Sequence, residues 1–272
     1  MAECATFINQ AKTRMRMLVI GSSDTSGITL ANPGDAWPNL VGGQLSAAIG
    51  EEVEVENLPL VPSGPKALPR VEKALEKHDP DLVVFSFGGY HFLVGTVGNR
   101  VRRRYGDRAY KFFRKLEVRF ESKTENKAGG SARLNRAGRW LARHVIGAEP
   151  LSTREEVTSV ELEVMRTLSQ RENLTVVILY APPLAESLSR ENHNANAILD
   201  DHREEMNAHG RSFHFLIADC VPGFEAARAD LRHSDGVHKG PAGHRIQAAS
   251  IMKALLEAPS PYARSANLQA PV

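Results

Sequence analysis

Two short segments near opposite ends of the chain carry side chains of the right type for covalent chemistry. The first is "LVIGSSDTSG", residues 18–27, where an apolar run breaks into glycine, three serines and one carboxylate, Asp24. The second is "SDGVHKGPAGHR", residues 234–245, which holds Asp235, His238 and His244. A serine hydroxyl is a weak nucleophile until a neighbouring base takes its proton, and imidazole is the side chain best suited to that at neutral pH. The imidazole in turn needs an acceptor that fixes its tautomer and stabilises the charged ring. Asp235 and His238, separated by two residues in a glycine-containing loop, fit that pairing. Ser22, Ser23 and Ser26 each fit the nucleophile, and each also fits a turn whose hydroxyls satisfy backbone amides. Taken singly, neither segment specifies a reaction.

The elements that would position these groups follow from hydrophobic periodicity. Residues 16–21, 51–58, 81–88, 174–183 and 213–220 read as five strands. "DLVVFSFG" and "LTVVILYAPP" are nearly continuous apolar runs, as expected of strands buried on both faces. Helical patterns fall between them at about 36–49, 66–78, 153–171, 195–209 and 241–257, and Thr153 with Glu156 makes a capping box. This alternation predicts an α/β fold, a three-layer α/β/α sandwich around a five-stranded parallel sheet. In such sheets sites form beyond the C-terminal ends of the strands. The serine turn follows the first strand, and the Asp/His loop lies between the last strand and the last helix.

Together the two segments resemble the first and last blocks of the SGNH hydrolases, the GDSL esterase/lipase family. In that family a first strand ends in Gly-Asp-Ser, and Asp-x-x-His precedes the last helix. Here the blocks stand as "GSSDTSG" and "DGVH". The resemblance implies that Ser23 is the nucleophile, with Ser22 where the family has Asp, and that Asp235 and His238 fill the other two triad roles. The family's second block, a glycine after strand two, falls on Gly64. Its third block, Gly-x-Asn-Asp, falls on "GGYH", Gly88 to His91, so Tyr90 stands where the family has an oxyanion-donating Asn. The backbone amides of Ser23 and Gly64, with Tyr90 or His91, would then receive the oxyanion. The implied fold is the flavodoxin-like SGNH sandwich. The implied reaction is ester cleavage through an acyl-enzyme, with no metal or cofactor. An acyltransferase on the same triad is one alternative. A non-catalytic SGNH-fold protein that holds an anionic partner is the other.

The resemblance leaves out one interval. Residues 99–145 carry 15 Lys or Arg against 4 Asp or Glu, a net +11, while the rest of the chain carries 19 against 28, a net −9. The pattern predicts a basic helical insert over 99–147 within a single domain spanning 15–258. Ala109, Phe112, Phe113, Leu116 and Phe120 share one helical face, and a second helix follows around Leu134, Trp140, Leu141 and Val145. The insert suits a lid, or a surface for an anionic substrate or membrane; no nucleic-acid-binding motif accompanies it. Residues 259–272, rich in Pro, Ala and Ser, predict a disordered tail. No apolar run reaches the roughly 18 residues needed to cross a bilayer. Cys4 and Cys220 are the only cysteines and suggest no disulfide framework, so the expected setting is the cytoplasm.

Overall fold

The computed structural model describes residues 14–60, 66–87, 89–125, 149–185, 194–227, 231–232 and 238–257, with the side chains of 114 and 116–125 excepted. Five strands, β1 (Arg14–Gly21), β2 (Glu52–Pro59), β3 (Leu82–Ser86), β4 (Thr175–Leu179) and β5 (Leu216–Ala218), form one parallel sheet in the order β2-β1-β3-β4-β5. The register runs Met17 opposite Val55 on one side and Leu82 on the other, then Val84 opposite Val177 and Ile178 opposite Ile217. The order reverses between β1 and β3, and in open α/β sheets such a switch point, beyond the C-terminal ends of the strands, is where sites form.

Both faces of the sheet are covered, which is why its central strands read as unbroken apolar runs. On one face Met17, Val19, Leu82, Val84, Val177 and Leu179 meet helix α1 (Trp37–Ile49), through Trp37, Val41 and Leu45, together with Ala248, Ile251 and Leu255 near the C-terminus. On the other face Leu18, Ile20, Val83, Phe85, Val176 and Ile178 meet α2 (Ala67–His78), with Val71 and Leu75 pointing inward. The expected capping box opens a later helix on this face, Arg154–Ser169. There Thr153 Oγ1 accepts the Glu156 N–H at 3.2 Å, and Glu156 Oε2 accepts the Thr153 N–H at 2.9 Å.

The last strand is shorter than its apolar alternation suggests. Helix Ala195–Ser212 ends in a tight cap: the N–H groups of Phe213, His214 and Phe215 donate to the carbonyls of His209, Arg211 and Gly210. His214 turns through the left-handed region at φ 60°. Hydrogen bonds that residues 213–215 would give to the sheet go to the helix end instead, and pairing starts at Leu216.

The insert also departs from expectation. After the short helix α3 (Tyr90–Leu93), α4 (Val97–Glu125) is broken at Gly106, whose φ of 83° and ψ of 175° suit glycine almost alone. In one continuous helix Gly98 and Tyr110 would lie about 18 Å apart along the axis. A Cβ placed on Gly98 would instead stand 3.2 Å from the Tyr110 ring and 3.9 Å from that of Phe113. The chain therefore folds back at Gly106. Tyr110 and Phe113 face inward, and Phe112, expected on the packed face, is 67% exposed. The second insert helix and the C-terminal tail lie outside the described residues. The remaining helices, in chain order, are α5 (Arg154–Ser169), α6 (Ala195–Ser212), α7 (Val221–Ala226) and α8 (Pro241–Glu257). None of the described helices is long and apolar enough to cross a membrane.

Candidate active site

The serine turn is held from several directions. A 3₁₀ turn, Ser23–Ser26, begins two residues after β1 ends. Thr25 is buried, and both its N–H and its Oγ1–H donate to the Ser22 carbonyl, at 3.1 and 2.8 Å. Its methyl group lies over Gly21, where a Cβ would come within 2.4 Å, so the glycine before the serines is a steric requirement. From β2, Asn57 Nδ2–H donates to the Thr25 carbonyl at 2.6 Å. Gly27, in the left-handed region at φ 61°, closes the turn by donating to the Asp24 carbonyl. These contacts use Thr25, Asn57 and backbone groups, and they leave the Ser23 side chain exposed.

The loop before α8 returns to this turn. Ser23 Oγ and His238 Nε2 lie 2.8 Å apart, 215 residues apart in sequence. With the imidazole proton on Nδ1, the Ser23 hydroxyl donates to Nε2, the arrangement in which the ring can accept the proton as the oxygen attacks. The next residues are joined as well. Asp24 Oδ2 pairs with Lys239 Nζ, and Asp24 Oδ1 accepts the Lys239 N–H at 3.4 Å. Further along, His244 is buried and its Nδ1 accepts the Trp37 N–H at 3.2 Å, so it satisfies one of the free amides at the start of α1. Burial holds the pKa of His244 below the ordinary histidine value; Asp24 and Asp35 oppose that shift, and Lys239 and His238 add to it.

Of the residues singled out by sequence, the structure brings Ser23 and His238 together. Asp235, Gly64 and Gly88 lie outside the described residues. Tyr90 and His91 open α3, just beyond the C-terminal end of β3, with their rings edge-to-face at 6.2 Å. Burial lowers the pKa of His91 and favours its neutral ring, and its Nε2 has no hydrogen-bond partner among the described residues. Cys220, after β5, is buried with its thiol pushed up to about 12, chiefly by desolvation, so it is no rival nucleophile. The sequence reading missed Asp24 and Lys239 as partners. The available signal was their matching position, each one residue beyond a candidate reacting group.

No protein-family model and no curated protein matches the sequence. Solved structures match it by shape. TesA superposes with a TM-score of 0.53 at 12% identity, covering 89% of this chain and 98% of that one. Axe2, an acetylxylan esterase from Geobacillus stearothermophilus, gives 0.51 at 14% identity over 90% of this chain and 96% of its own. An extracellular lipase from Streptomyces rimosus gives 0.50 at 17% identity over 88% and 99%. At such identities the likeness is one of fold. In its parallel sheet, its strand order and its helices on both faces, this chain has the fold of the SGNH hydrolases.

Proposed function

We propose that the chain is a serine ester hydrolase of the SGNH type. The observation that carries this reading is the 2.8 Å contact between Ser23 Oγ and His238 Nε2 beyond the end of β1. His238 takes the hydroxyl proton as Ser23 Oγ attacks the ester carbonyl carbon. Asp235, three residues before His238, supports the imidazolium. The tetrahedral oxyanion rests on backbone N–H groups at Ser23 and Gly64. Of the two third-block side chains, His91 offers an Nε2 with no hydrogen-bond partner among the described residues, and in the tautomer that carries its proton there it supplies an additional donor. His238 then passes its proton to the leaving alcohol, and the acyl group remains on Ser23. Water, deprotonated by His238, attacks the acyl-enzyme and releases the acid. The esterase and lipase names of proteins sharing this fold agree with this reaction class. Transfer of the acyl group to an alcohol instead of water would use the same groups.

The test is covalent labelling. A fluorophosphonate probe should modify wild type at Ser23 and leave Ser23→Ala unmodified, and hydrolysis of p-nitrophenyl acetate should disappear in the same variant. Labelling at Ser22 or Ser26, with activity retained in Ser23→Ala, would overturn the assignment.

One observation favours a partner as well. Past Gly106 the exposed face of α4 presents Arg108, Lys111, Phe112 and Lys115 at helical spacing, and Tyr105, just before the break, is 63% exposed. Basic side chains beside exposed aromatics suit the interface of an anionic bilayer. Co-sedimentation with vesicles of phosphatidylglycerol and phosphatidylcholine, but not with phosphatidylcholine alone, should occur in about 50 mM salt and weaken in about 200 mM. Equal binding to both vesicle types, or none, would refute this reading.

A further inference from the structure

The residue after Ser23 and the residue after His238 form an ion pair of their own. Asp24 Oδ2 meets Lys239 Nζ, and each side chain is only 13% exposed. Asp24 Oδ1 also accepts the Lys239 N–H at 3.4 Å, so one carboxylate holds both the main chain and the side chain of Lys239. Thr29 Oγ1–H adds a 3.5 Å contact to the Lys239 carbonyl. An exposed ion pair adds little to a structure. In an enclosed one, either charge left alone is strongly unfavourable, so the pair admits few alternative arrangements. This pair joins two segments 215 residues apart in the chain.

We propose that Asp24 and Lys239 form a positioning latch that sets the distance between Ser23 Oγ and His238 Nε2. The inference rests on the serine-hydrolase reading above. Its ground is proximity along the backbone. Consecutive Cα atoms are fixed 3.8 Å apart, so a tie one residue beyond each reacting group leaves few free torsions between the tie and the reacting atoms. By contrast, the tie from Trp37 N–H to His244 Nδ1 at 3.2 Å lies six residues past His238 and would by itself leave that loop far more freedom. Neither latch residue exchanges a proton with substrate. Both act through the placement of Ser23 and His238.

The test compares wild type with Asp24→Asn, Lys239→Met and the reversed pair Asp24→Lys with Lys239→Asp. Three quantities are read: kcat and KM for p-nitrophenyl acetate, folding by circular dichroism, and the ¹⁵N shift of His238 Nε2. That shift reports the contact with Ser23 whether or not an ester is turned over. Each single variant should lose about ten- to a hundredfold in kcat with KM nearly unchanged, as expected when a reacting group is slightly misplaced. The ¹⁵N signal should move in both single variants, and the reversed pair should recover part of kcat and of the shift. If both single variants are folded and keep wild-type kcat and ¹⁵N shift, the latch is refuted. Where Asp24→Asn does not fold, Lys239→Met, which preserves chain length and packing, decides on the same criteria. A wild-type protein that hydrolyses no ester overturns the hydrolase reading, and the ¹⁵N comparison still decides whether the pair holds Ser23 against His238.

Discussion

Replacing His244 by Asn should make the protein less sensitive to acid, although it removes a buried core residue. His244 is 1% exposed, and its Nδ1 accepts the Trp37 N–H. Protonating Nδ1 would cost that hydrogen bond and place a charge in the core, so its native pKa is lowered, chiefly by burial. In the unfolded chain the imidazole titrates near 6.5. The sign follows from linkage: above that value neither state holds the proton, and His244 contributes its full share of stability. As pH falls through 6.5 towards the native pKa, the unfolded chain binds a proton that the native state refuses, and stability drops. The slope is at most about 1.4 kcal/mol per pH unit for one group, so between pH 7 and 5 the loss is at most about 1.9 kcal/mol. Asp24 and Asp35, which favour the charged ring, keep the loss below that ceiling.

The assay is urea unfolding at pH 7 and pH 5 for wild type and His244→Asn. The Asn carbonyl can stand where Nδ1 stood and still accept from Trp37, but it does not titrate. His244→Asn will be less stable at pH 7, because the smaller side chain leaves space in a close-packed region. That cost is common to both pH values and cancels in the difference. The quantity of interest is the loss between pH 7 and 5, which should be smaller in the variant, by no more than the ceiling of about 1.9 kcal/mol. His91, lowered by burial in the same direction, leaves part of the acid sensitivity in place. An equal loss in wild type and variant would show that His244 takes up protons alike in both states, and the argument from its burial would fail.

Three further changes probe the scaffold around the site and the insert. Gly106→Ala should cost roughly 1–3 kcal/mol, because alanine is strained at φ 83° and ψ 175°, and limited proteolysis should cut faster between residues 97 and 115 as the fold-back loosens. Thr153→Ala should cost about 1 kcal/mol in urea unfolding through loss of the N-cap at α5, with fluorophosphonate labelling of Ser23 unchanged. Thr25→Val keeps the shape over Gly21 but loses the hydroxyl bond to Ser22, so it should cost about 1 kcal/mol and slow fluorophosphonate labelling. Unchanged labelling would show that the Thr25 amide alone holds the turn.

The parts of the fold that could be read from sequence are those in which neighbours along the chain decide the outcome. Leu82 to Phe85 and Val176 to Leu179 had to be strands covered on both faces, and Thr153 with Glu156 had to start a helix. The parts that could not be read depend on a competitor for the same hydrogen bonds or the same face. Residues 213–215 alternate like a strand, but the end of α6 takes their N–H groups. Phe112 and Phe113 are neighbours about 100° apart on one helix, and the fold-back at Gly106 brings Gly98 against Phe113 and leaves Phe112 in solvent. Inside the core, Glu161 Oε2 and His202 Nε2 meet at 2.9 Å, both buried, from helices that only the tertiary packing brings together.

The same distinction separates what was legible in the candidate site from what was not. Ser23 and His238 stand out because nucleophile and base need particular side chains, and because an α/β sheet delivers the end of its first strand and the start of its last helix to one edge. Asp24 and Lys239 do not stand out, since a carboxylate in a polar turn and a lysine in a loop are ordinary surface residues until the two are found paired and largely enclosed. Type and order are enough to nominate groups that react. Groups that hold them in place are defined by which charge is enclosed with which, and that appears only once the two ends of the chain are side by side. For this reason the two roles should come apart on mutation: Ser23→Ala should remove the reaction and leave the Asp24–Lys239 pair standing, whereas Lys239→Met should keep the hydroxyl and imidazole but slow their encounter.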